Sequence, residues 1–246
     1  MNNYKTLTLV KKNSMTEVRN TTHQNILYVS NFHDLMATPF HGEMNAICWK
    51  RELVGDFAEI VKKVMMIENL MEFDEETLID LNLSEQGQLA RDILLNDIQL
   101  LKVHGALPSL NVIKNYERDD AMAIVATDVY SFHVDSSPIP TDTFLCTYYG
   151  APSEILPNQQ AEQKVLIASI REKLKKQFGK AEDDFDLFLT QNCYDLHYQA
   201  KPNASLVSLG IGHLWRLATA HPNSEVLPCI HRAPIEKGQH RLMMIC

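Results

Sequence analysis

The chain has no apolar run of the ~20 residues that a membrane-spanning helix needs, so no membrane association is expected. It has no CxxC pair, which removes the usual framework of a cysteine-rich zinc knuckle. GxSxG, the phosphate-cradling P-loop and GxGxxG are also missing, and with them the common signals of hydrolases, NTPases and dinucleotide enzymes. Positive charge is in deficit: 23 Lys and Arg stand against 31 Asp and Glu, a formal net charge of -8. That balance argues against non-specific nucleic-acid binding, which needs a positive surface to displace counterions, although a local basic pocket stays open. The five cysteines (Cys48, Cys146, Cys193, Cys229, Cys246) are odd in number and scattered. They fit reduced thiols in a cytoplasmic protein better than a disulfide framework. No signal-peptide core lies between Met1 and Ser14, and there is no internal repeat or low-complexity segment.

What is present is enough for a full core. The chain has 246 residues, 45% hydrophobic and 22% charged, which is ordinary for a globular protein. The first ~25 residues are polar and read as an arm or an edge strand. Leu53, Phe57, Ile60, Val61 and Val64 recur at helical spacing, and Leu89, Ile93, Leu94, Ile98 and Leu101 make a second stripe with Gly105 as its C-cap. The acidic stretch Glu72 to Glu76 reads as a solvated connection between them.

After Pro108 the pattern turns to short β-type runs: Ala123 to Ala126, Val129 to Val134 and Thr143 to Tyr149. A helix follows on Val165, Leu166, Ile170, Leu174 and Phe178, ended by Gly179, and Glu182 to Phe188 continues as a short helix or loop. Strand signals resume at Ser205 to Leu209, His213 to Leu217, Val226 to Arg232 and Arg241 to Ile245. The expected fold class is α+β. A mainly helical part over residues 1–108 packs on a jelly-roll or barrel core over 109–246, with a helical insertion near 160–204, as one compact unit.

The candidate chemistry lies at His133-Val134-Asp135, His231 and Arg241. Residues two apart on a strand share a face, ~6.6 Å apart, so His133 and Asp135 can aim at one metal ion while Tyr130, Phe132 and Val134 face a hydrophobic layer. The segment from His231 to Arg241 has a hairpin's composition around Pro234, Lys237 and Gly238. Centred on Glu236, that hairpin sets His231 and Arg241 directly across from each other on one face. Arg232, next to His231, turns to the other face. Two histidines and one carboxylate on one side of an octahedron leave open positions, the arrangement of non-haem Fe(II) oxygenases. An oxo-acid chelates two of those positions, and its free carboxylate calls for a fixed guanidinium, a role Arg241 suits. His213 and His221 are read as strand-end or turn residues. Cys229 and Cys146 are read as buried inert thiols, although a thiolate at Cys229 would favour zinc or copper.

Several segments resemble a known family. Phe132-His133-Val134-Asp135, Leu145-Cys146-Thr147-Tyr148, Gly150 to Pro157, His231-Arg232-Ala233-Pro234 and Arg241-Leu242 resemble, in this order, the bacterial DUF1826 family. Asn45 to Arg51 is similar to that family's N-terminal signature, and the likeness covers roughly residues 27 to 246. The β half is similar to the double-stranded β-helix, or cupin-like jelly roll, of Fe(II)/2-oxoglutarate dioxygenases. This resemblance implies His133, Asp135 and His231 as catalytic iron ligands and Arg241 as the 2-oxoglutarate anchor. Tyr148 or Tyr149 would hydrogen-bond the same co-substrate. The implied activity is oxidation of a small-molecule or peptide substrate, with 2-oxoglutarate split to CO2 and succinate. Members of DUF1826 are often associated with zinc-limitation genes. That association implies a rival reading, a non-catalytic zinc-binding cupin-like protein using the same three ligands. The stretch from Gln160 to Ala204 is longer and more helical than the family pattern.

Overall fold

The apolar stripe from Leu89 to Leu101 forms the longest helix among the described residues. In this computed structural model, which describes residues 24–66, 68–179, 184–235 and 237–246, helix α4 spans Glu85–Val103. Ser84 caps its start, its Oγ accepting from the Gly87 N–H at 3.2 Å. Its end is a Schellman cap: the Ala106 N–H bonds Leu101 O and the Gly105 N–H bonds Lys102 O, with Gly105 at φ +83°. Ala90, Leu94, Ile98 and Leu101 are buried, while Leu89 of the expected stripe faces solvent. Three shorter helices join it, α1 (Phe32–Ala37), α2 (Phe57–Lys63) and α3 (Glu75–Asp80). Each starts at a capping side chain, Asn31, Asp56 and Asp74 respectively, that accepts a backbone N–H three residues on.

These helices cover one face of a seven-stranded sheet. Its order is β1 (Ile26–Val29), β2 (Ala46–Trp49), β11 (Leu214–Ala218), β6 (Asp142–Tyr149), β13 (Arg241–Ile245), β4 (Ser109–Ile113) and β3 (Leu70–Phe73). All pairs are antiparallel apart from β1 with β2. Alternation sends Ile47, Leu110, Val112, Phe144, Leu214 and Leu242 into the helical layer. A second sheet of six strands has the order β10 (Val207–Ser208), β7 (Glu154–Ile155), β12 (His231–Arg232), β5 (Phe132–His133), β9 (His197–Ala200) and β8 (Ala161–Gln163). A core lies between the two sheets. Leu145, Trp215, Leu217 and Met243 of the large sheet meet Ile155, Val207 and Leu209 from the small one. The indole N–H of Trp215 donates to Leu209 O at 2.7 Å across this gap. Helices α5 (Ala168–Phe178) and α6 (Phe185–Gln191) pack with Val125, Val165 and each other in a satellite core.

The architecture is therefore mixed α+β. The expectation for the first ~25 residues falls almost wholly outside the described residues. The N-terminal 108 residues supply strands as well as helices, since β1, β2 and β3 belong to the large sheet. Glu72 to Glu76 is not a plain connection. It ends edge strand β3 and begins α3, because Asp74 is an N-cap and acidic side chains in a first helical turn are favoured by the helix dipole. Ala123 to Ala126 forms no strand, and Leu53 precedes rather than opens α2.

The hairpin expected between His231 and Arg241 does not form. β12 pairs with β5 and β7, β13 with β4 and β6, so the chain crosses from one sheet to the other instead of turning back on itself. The two residues nevertheless both point into the space between the sheets: His231 opposes Ile155, and Arg241 opposes Ile113, each a member of that core.

Candidate metal centre

β5 is two residues long, and its alternation is set by apolar neighbours. Phe132 and Val134 are buried beneath the outer face of the small sheet with Leu156 and Ile230, which turns His133 inward. Tyr130 does not join them; it packs edge-on against Tyr116. Ile230, just before β12, and Arg232 on it point outward, Arg232 pairing with Glu154 at 2.7 Å and lying over the Phe132 ring. His231 is left facing inward, directly across from His133 in the ladder. The chain leaves β5 after His133, and the Ala220 N–H bonds Asp135 O at 2.8 Å, which fixes the backbone where the carboxylate projects.

One ligand atom each from His133, Asp135 and His231 lies within 4.8 Å of the others. His133 Nε2 is 3.8 Å from Asp135 Oδ1 and His231 Nε2 is 3.6 Å from Asp135 Oδ2. Two bonds of ~2.1 Å each span about 4.2 Å, so these spacings suit atoms sharing one ion.

The surroundings fix which atoms converge. His133 Nδ1 bonds Ser131 O at 2.8 Å and His231 Nδ1 bonds Cys229 O at 3.3 Å. Each ring thereby commits its N–H to its own strand two residues back and leaves the Nε2 lone pair for a metal. Thr143 Oγ1 donates to Asp135 Oδ2 at 2.5 Å, which orients the carboxylate. Burial, then the neighbouring His231, lowers the pKa of His133. The ring is neutral, as a ligand must be, over a wider pH range than a free histidine. The donor set fits a borderline divalent cation and leaves part of the coordination sphere open. Cys229 is not in the ligand group; burial, with the Asp135 charge, raises its pKa and keeps it a thiol.

Arg241 is almost fully buried, at 1% exposure, and faces the inter-sheet space. Its Nη2 donates to Ser153 Oγ at 3.1 Å. Gly150 packs against it so closely that an added Cβ would sit 3.0 Å from Arg241 Cγ.

The two tyrosines go elsewhere. β6 carries a bulge: Leu242 pairs with Tyr149 and Met243 with Thr147, so Tyr148 is the extra residue. Both tyrosines then pack in the helical layer. Tyr148 stacks on Phe57 and donates to Asp97 Oδ2 at 2.7 Å, on the far side of the sheet from the metal ligands. A hydroxyl so engaged is not available to a co-substrate between the sheets, which corrects the expectation for Tyr148. Tyr149 lies against the same helical core. His213 accepts from the Arg51 N–H, and among the described residues neither it nor His221 belongs to a metal-ligand group.

Sequence reasoning missed three residues. Thr143 and Ser153 hold Asp135 and Arg241. His197 opposes His133 on β9, its ring centroid 5.8 Å away, and is 4% exposed. Burial and the adjacent His133 and Lys164 lower its pKa to about 4. A signal existed: Leu196-His197-Tyr198 repeats the pattern of an inward histidine between outward apolar residues seen in Phe132-His133-Val134. Comparison of the chain with protein-family models, with curated proteins and with solved structures gives no match.

Proposed function

We propose that this protein is an Fe(II)- and 2-oxoglutarate-dependent dioxygenase, an oxidoreductase on a double-stranded β-helix core akin to the DUF1826 family it resembles. The observation that carries the reading is the convergence of His133 Nε2, His231 Nε2 and the Asp135 carboxylate in the inter-sheet space that Arg241 faces from the opposite sheet. These three residues would hold the iron and leave the remaining positions for co-substrate and O2. Iron with 2-oxoglutarate would supply oxidation of a C–H bond, with release of CO2 and succinate.

The chain's own residues do the rest. Ser153 is one strand over and two residues along from His231, because Ile155 opposes His231 in the ladder. Strand geometry puts that offset at ~8 Å, a span that a five-carbon diacid chelated at its oxo end can cover. Arg241, bonded to Ser153, is thus set to bind the distal carboxylate in two-pronged fashion. The buried apolar side chains beside it (Ile113 across the ladder, Met243 two residues along the same face) exclude water, which strengthens that contact.

The test mixes purified protein with Fe(II), 2-oxoglutarate and O2 and measures succinate. Succinate formation that disappears in His133→Ala, together with 2-oxoglutarate binding weakened at least about 100-fold in Arg241→Ala, is expected. Absence of both iron binding and 2-oxoglutarate binding would sink the reading. The zinc-binding alternative uses the same ligands; zinc as the isolated metal with no response to 2-oxoglutarate would favour it.

A further inference from the structure

His231, His133 and His197 stand in one row across β12, β5 and β9, all on the inner face. Two of the three are prepared as ligands, each with Nδ1 tied to the carbonyl two residues upstream. The third is not. The corresponding carbonyl, Asp195 O, is taken by the Gln163 side-chain amide. Among the described residues His197 Nδ1 is buried without a hydrogen-bond partner. Nor does His197 join the ligand group. A buried polar atom with no partner is costly, and such exceptions concentrate where something else completes the bond.

The placement says what that something is. Across the small sheet the order runs from Ser153 at the head of β7, through His231 and His133, to His197. Arg241 therefore serves one flank of the triad and His197 the other. The helical insertion leads directly into β9, so its end is what carries His197 to the site.

We propose that His197 holds a small hydrogen-bonding ligand at the metal's open side, on the flank away from Arg241. This inference rests on the triad being a metal site, not on the use of 2-oxoglutarate. The ligand class is a compact oxygen or nitrogen donor that accepts a hydrogen bond from the imidazole N–H.

The experiment loads metal-free full-length protein with Co(II), titrates azide as the probe, and follows visible absorption in wild type, His197→Leu and His197→Gln. Co(II) affinity is measured for each, with thermal unfolding as a control. The expected result is unchanged Co(II) affinity, azide affinity about tenfold lower in His197→Leu, and recovery in His197→Gln, whose amide also donates. His197→Phe, similar in shape to the imidazole, replaces the leucine variant should that one fail to fold. Equal azide affinity in wild type and the apolar variant overturns the proposal. So does a loss of Co(II) affinity in the apolar variant, which would make His197 a ligand. No Co(II) binding by the wild type removes the metal reading itself, and the inference with it.

Discussion

Each candidate ligand is held by a contact of its own, and these contacts set what single substitutions do. Thr143→Val removes the hydroxyl that orients Asp135 and keeps the volume. Metal affinity should fall about 10- to 100-fold by calorimetry while thermal stability changes little. Acid has a separate effect. His133 and His197 both have pKa values below the ordinary 6.5, His197 at about 4. The unfolded chain then binds more protons than the folded one between about 4 and 6.5. Metal-free protein should lose stability as pH falls from 6.5 towards 4 and gain nothing from these groups above 6.5. Urea midpoints at pH 7 and pH 5 check this, with the difference reduced in His197→Leu. At this scale the sequence was legible where alternation is regular. His133 and His231 face inward because their neighbours are apolar or ion-paired outward. Tyr148 follows Phe144 and Cys146 into the helical layer by plain alternation; Tyr149 was not legible, because a bulge adds one residue and reverses its facing.

Among the elements, the join between helices and large sheet is a buried ion pair. Arg51 on the strand β2 exit grips Asp97 of α4 through its two terminal guanidinium nitrogens, and Tyr148 donates to the same carboxylate. Removing one partner of such a pair leaves the other charge buried, so Asp97→Ala should cost about 3–5 kcal/mol in denaturant unfolding. The loop after β6 is equally constrained. Gly150 has φ +87°, and a Cβ there would sit 2.5 Å from His240 O. Gly150→Ala should destabilise by about 1–3 kcal/mol and displace Arg241, weakening oxo-acid binding more than metal binding. The position of α4 followed from its apolar stripe and the Gly105 cap, whereas the first turn of α3 reads as an acidic connection. The connection from His231 to Arg241 did not, since a turn-rich segment joins strands of one sheet or of two with the same residues. Only long-range pairing decides between them.

For the molecule as a whole, two sheets enclose a core, and the site is set where they face each other. Such an arrangement lets ligands distant in sequence meet with little local strain: Asp135 and His231 are brought together by β5–β12 pairing and not by any turn. The α+β character was readable from the change of pattern after Pro108. That β1, β2 and β3 complete the large sheet was not, because four-residue strands within a mostly helical stretch give little periodic signal. The central claim is that three side chains grip one divalent ion. Calorimetric titration of metal-free protein with Co(II) tests it most directly, in wild type and in His133→Ala, Asp135→Ala and His231→Ala. One ion per chain, with affinity lost in all three variants and kept in His221→Ala, is the predicted result; binding that survives each of the three substitutions would contradict it.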